Sequence, residues 1–127
     1  MSHIDPLNKE IAGNHYKQYK MQPIELIAAM HWDFFQGNIF KYCLRAKFKN
    51  GQQDIDKAVH YCELAMELKD ECDNWRTAYE HNMARFIDEN GLDHRFFEQF
   101  LLNINREYYD RLKEMLSDNQ IVEKYFL

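Results

Sequence analysis

The sequence predicts an all-α protein: a compact helical domain with an antiparallel helix hairpin and a helical C-terminal extension. Three observations carry this reading. Apolar residues recur three and four apart through most of the chain. Turn formers are scarce, with 4 Gly and 2 Pro in 127 residues. Core volume is plentiful, with 9 Phe and 8 Tyr, and no alternating pattern suggests a strand. At this length a chain can bury a core without disulfide or metal staples.

Residues 1–13 read as a flexible arm, with Asp5-Pro6 and Gly13-Asn14 as turn signals, and the polar stretch continues through His15-Tyr16-Lys17-Gln18-Tyr19. Pro23 suits the first position of a helix, where its missing N–H costs nothing. That helix should bury Ile24, Ile27, Ala28 and Met30 and stop near Trp32. A second helix starts beyond Asp33 and runs to about Phe48, where Asn50-Gly51 offers left-handed backbone conformations. Asp54 is the expected cap of a third helix. Ile55, Ala58, Val59, Cys62, Ala65, Met66 and Lys69 form its buried seam, which could continue past Trp75 with a break near Asp73-Asn74. Another helical stretch reaches Asn90-Gly91. Asp93 caps the next, with Phe96, Phe97, Phe100, Leu101 and Ile104, and Tyr108, Leu112, Met115 and Leu116 extend the pattern toward the C-terminus. Residues 14–72 thus form the main helical domain and 73–127 a helical extension, an oligomerisation or lid element given its aromatic content.

The second helix has two chemically different faces. At about 100° per residue, Asn38, Lys41, Tyr42, Arg45 and Lys49 share one stripe, whereas Ile39, Phe40 and Cys43 point the other way. Between Lys41 and Lys49 the chain carries four cations and no acid. Cations and an amide beside an aromatic ring suit a phosphate attached to a planar base: Arg45 for two parallel N–H bonds, Lys41 as a mobile charge, Asn38 for a sugar or base edge. The bland alternative is a solvated face whose cations pair with Asp54 or Glu25. The short connection between the second and third helices favours a hairpin that would bring Lys57 to the same anion as Arg45. Asp54 and Lys57, three apart, also suit a cap with a local ion pair. His15 and Tyr16 are candidates for phosphate and base contact from a loop. Glu25, in a first helical turn, suits the helix dipole or a ribose contact.

Other chemistry is excluded or disfavoured. A formal charge of −5 argues against broad duplex binding, so nucleic acid is not the expected partner. No P-loop, zinc spacing or nucleophile elbow occurs. The acid pairs Glu67/Asp70 and Glu107/Asp110 suggest magnesium, but each also fits a solvated helix face. Cys43, Cys62 and Cys72 form no C-x-x-C pair and fit a reducing compartment. No apolar run reaches the roughly 18 residues needed to cross a bilayer, so no membrane partner and a soluble, intracellular protein are expected.

The order His15-Tyr16, Pro23-Ile24-Glu25, Gly37-Asn38, Lys41-Tyr42, Arg45, Asp54, Lys57-Ala58 and Tyr61 resembles a small bacteriophage domain family, of unknown function or described as a phage nucleotide kinase-like domain. The match covers roughly residues 14–66. The resemblance implies a phage protein acting in the cytoplasm of an infected bacterium, a helical fold and a nucleotide ligand. It implies ligand contacts from His15, Tyr16, Glu25, Asn38, Lys41, Tyr42, Arg45, Asp54 and Lys57. Its enzymatic reading is a nucleoside monophosphate kinase without a P-loop, which would require magnesium; no other cofactor and no resident metal are indicated. The rival readings are a non-catalytic sponge that sequesters a nucleotide immune signal and a protein–protein inhibitor. A homo-oligomer is expected.

Overall fold

A computed structural model describes residues 6–8, 18–69 and 80–127. After a 3₁₀ turn at Pro6–Asn8, the helices are α1 (Pro23–Met30), α2 (Phe34–Arg45), α3 (Gln52–Leu68), α4 (Glu80–Glu89), α5 (His94–Asn105), α6 (Tyr109–Leu116) and α7 (Asn119–Tyr125). No strand occurs among the described residues, so the fold is all-α.

Local chemistry sets the boundaries. Asp33 and Gln36 cap α2 reciprocally: the Gln36 N–H donates to Asp33 Oδ1 at 2.9 Å, and the Asp33 N–H to Gln36 Oε1 at 3.1 Å. α2 tightens into a 3₁₀ turn at Ala46–Phe48, and Gly51 then reverses the chain at φ 54°, a region that favours glycine. Asp93 accepts the Phe96 N–H at the start of α5, and Asp118 accepts the Gln120 N–H at the start of α7.

The reversal lays α3 antiparallel on α2, with Arg45 beside Asp54 at one end and Phe34 beside Tyr61 near the other. Ile39, Phe40, Cys43 and Leu44 are buried with Ile55, Ala58, Cys62 and Ala65 of α3. The Phe40 ring meets Trp32 and Phe86, each at 5.3 Å between centroids, which joins α2 to α4. α6 packs along α3, and Phe97, Phe100 and Phe126 are buried where α5 meets the C-terminus. One apolar cluster runs from Met21 to Phe126.

Several expectations change. α1 buries Pro23, Leu26 and Met30, not Ile24 and Ala28, which are exposed. Its sequence is apolar on almost every side, so periodicity could not choose the inward face. Asp54 is not the cap of α3: Gly51 holds that place, and the Asp54 carboxylate is drawn inward to Arg45. Met66 is half exposed. α3 stops at Leu68, because Lys69 turns extended (φ −108°, ψ 141°) and bonds to Asp33, Glu107 and Tyr109. The pattern expected from Asp93 toward the C-terminus is three helices, divided at residues 106–108 and again at Ser117 and Asp118. The expected break at Asp73-Asn74 and Cys72 lie outside the described residues.

Candidate functional site

At the turn end of the hairpin a buried carboxylate organises the cations. Asp54 has no exposed surface. Its Oδ2 accepts from Arg45 Nε at 3.2 Å and its Oδ1 from Arg45 Nη2 at 3.0 Å, the two-pronged geometry that a guanidinium favours. The Asn50 backbone N–H and side-chain amide add donors at 3.3 and 3.5 Å, and Lys57 Nζ stands 3.8 Å from Oδ1. Burial pushes the Asp54 carboxyl up, but the Arg45 guanidinium and the Asn50 donors outweigh it and hold it below the usual carboxylate range.

Above this ion pair lies the Tyr42 ring. Lys41 Nζ, Arg45 Cζ and Lys57 Nζ stand 4.5, 4.8 and 5.3 Å from its centroid, so three cations surround one electron-rich ring. Tyr61 of α3 lies nearly parallel to it, 5.8 Å away with 13° between the planes. Beside them opens a groove of about 470 Å³ lined by Tyr42, Asp56, Lys57, His60, Tyr61 and Leu64. It is an open, shallow groove whose lining is mostly apolar with a few polar groups at its edge.

Of the residues singled out from the sequence, Lys41, Tyr42, Arg45, Asp54 and Lys57 come together here. Asn38 lies on the same face of α2, with its Nδ2 donating to the Phe34 carbonyl at 2.7 Å. Glu25 sits apart on α1, where its Oε2 accepts the Gln22 N–H at 2.7 Å. His15 and Tyr16 lie outside the described residues. Asp56, His60, Tyr61 and Leu64 were not among the expected contacts. Their signal is the three- and four-residue spacing of Lys57, His60, Tyr61 and Leu64, with Asp56 four before His60, along one side of α3, legible once that helix is known to flank α2.

A second ionic cluster closes the opposite end of the hairpin. Lys69 donates to Asp33, Glu107 and Tyr109, and sits 5.5 Å from the Tyr109 centroid. Burial alone would lower the Lys69 ammonium, but its oxygen partners raise it above its ordinary value. Glu107 is thereby engaged, and Asp70, of the other acid pair, lies outside the described residues. Among the described residues no three His, Cys, Asp or Glu side chains converge as a metal set, and no helix is long and apolar enough to cross a membrane.

Over residues 11–63 the chain is similar to a family described as protein of unknown function (DUF3310). That span takes in α1, α2 and most of α3, the elements that build the hairpin face. No curated protein and no solved structure matches the chain.

Proposed function

We propose that the protein binds a nucleotide in the groove between α2 and α3. The observation that supports this most is the convergence of Lys41, Arg45 and Lys57 on Tyr42 beside an open groove walled by Tyr61, His60 and Leu64. A phosphate needs cations whose charge is not already spent. Asp54 is answered chiefly by Arg45, with Lys57 at a longer 3.8 Å and still half exposed, so Lys41 and Lys57 are the phosphate contacts and the Arg45–Asp54 pair lies beneath Lys57. The flat apolar wall takes the nucleobase, and Tyr61 supplies ring surface that Tyr42, flanked by Tyr61 and cations, does not.

The resemblance to phage nucleotide kinase-like domains supports phosphoryl transfer to a nucleoside monophosphate as the first chemistry to examine, in the cytoplasm of an infected host. Retention of an unchanged nucleotide is the rival outcome. Titration calorimetry with nucleoside mono- and triphosphates tests the binding step. Lys41→Ala and Lys57→Ala should each weaken affinity about tenfold, the scale of one lost charge-assisted contact. Failure of the folded wild type to bind any nucleotide, or affinity indifferent to both changes, would overturn the reading. Incubation with triphosphate, monophosphate and magnesium then separates the chemistries: new diphosphate marks a kinase, and unaltered bound ligand marks sequestration.

A further inference from the structure

A second groove, of about 430 Å³, opens between the start of α5 and the last turn of α7, and it shares no lining residue with the groove between α2 and α3. Asp93, Arg95, Phe96, Gln99, Lys124 and Tyr125 line it. The Phe96 and Tyr125 rings lie face to face, 3.7 Å between centroids and 2° from parallel, so one aromatic wall joins the two helices. Both rings are half-buried, and the four polar residues are exposed.

The polar lining carries both signs. Arg95 and Gln99 stand one turn apart on the same side of α5, and Lys124 Nζ stands 5.3 Å from the Tyr125 centroid. Neither cation forms an ion pair among the described residues. Asp93 Oδ1 accepts the Phe96 N–H at 3.0 Å, and its Oδ2 makes no hydrogen bond among the described residues. The Phe97 N–H is given to the Asp93 carbonyl at 3.0 Å, so side chains and not these helix N–H groups face the groove. The other acids nearby in sequence are engaged or outside the lining: Glu98 faces His94 at 3.5 Å, and Glu123 is exposed beyond the groove.

This set disfavours two simple ligands. A polyanion is opposed by Asp93, and an uncharged apolar molecule displaces water from three charged groups while answering none of them. A molecule that holds a cation and an anion a few bonds apart on an apolar body answers them all. We propose that the groove binds a free α-amino acid with a large apolar side chain. Asp93 takes the ammonium. Arg95 and Lys124 take the carboxylate, the guanidinium fork matching its two oxygens, and Gln99 adds an amide donor one turn further on. The side chain lies against the Phe96–Tyr125 wall.

Titration of phenylalanine into the isotope-labelled full chain, followed by amide NMR shifts, tests the proposal. Residues 93–99 and 124–125 should shift and saturate together. Phenylalanine amide, which lacks the carboxylate, and N-acetylphenylalanine, which lacks the ammonium, should each bind about tenfold more weakly, the scale of one lost charge-assisted contact. Asp93→Asn keeps the cap, because asparagine caps a helix as well as aspartate does, and should abolish the discrimination against N-acetylphenylalanine. Arg95→Gln, at an exposed position, should weaken phenylalanine about tenfold and leave phenylalanine amide unchanged. No saturable shift at these residues in the folded wild type, or affinity indifferent to both substitutions, would overturn the proposal. N-acetylphenylalanine bound as tightly as phenylalanine would also overturn it, and would mark the groove as a site for a peptide C-terminus. None of these residues lines the groove between α2 and α3, so nucleotide binding measured by calorimetry succeeds or fails independently.

Discussion

A carboxylate with no solvent contact survives in a protein only if its charge is answered at close range, and Asp54 is answered by one guanidinium. Arg45 therefore matters first to the fold of the hairpin and through it to the groove. Removing it leaves Asp54 buried with only the Asn50 donors and a more distant Lys57. Arg45→Ala should cost about 3 kcal/mol or more of folding stability, the range for breaking one partner of a buried pair, as read from urea denaturation. The double change Arg45→Met with Asp54→Leu should cost much less, because two apolar groups of similar volume carry no orphaned charge. If Arg45→Ala proved as stable as wild type while losing nucleotide affinity, Arg45 would be a ligand contact in its own right.

The hairpin is fastened at both ends by ions, and the two fastenings titrate in opposite directions. The Asp54 carboxyl is held low, so its contribution is present above the ordinary carboxylate range and fades as acid carries the pH down through its folded value. The Lys69 ammonium is held high, so its contribution is complete below the ordinary lysine value and is lost as the pH rises through the folded one. Lys69→Met should remove part of the alkaline loss of thermal stability and leave the acid limb unchanged, as followed by circular dichroism melts. An unchanged alkaline limb would mean that the cluster adds no net stability. This element also shows what a sequence reveals. The two faces of α2 are legible because Asp33 and Asn50-Gly51 mark its ends and its apolar residues occupy one side. Asp54 differs from its expected role because an acid near a helix start looks like a cap, whereas its partner Arg45 lies nine residues back across a turn. Lys69 was placed in an apolar seam because its partners Asp33 and Glu107 are brought to it only by the packing of α2, α3 and the link between α5 and α6.

At the scale of the molecule, the hairpin that carries the groove shares its core with the C-terminal helices. Trp32 Nε1 donates to Asn105 Oδ1 at 3.1 Å, and Gln36 Nε2 donates to the Ile104 carbonyl at 3.0 Å, both buried, so polar bonds as well as apolar contacts tie α2 to α5. α6 lies along α3, with Leu112 and Leu116 buried. Phe100 is fully buried on α5 and meets Phe126 at 5.0 Å, remote in sequence from the groove. If the shared core makes one cooperative unit, a cavity at Phe100 destabilises everything together. Phe100→Ala should cost about 3–5 kcal/mol, and amide hydrogen exchange should show protection falling by equal free energies in α2, α3, α5 and α6, since all would open only by global unfolding. Protection lost in α5 to α7 but retained in α2 and α3 would instead make the hairpin an autonomous unit, with the later helices as a separable cover.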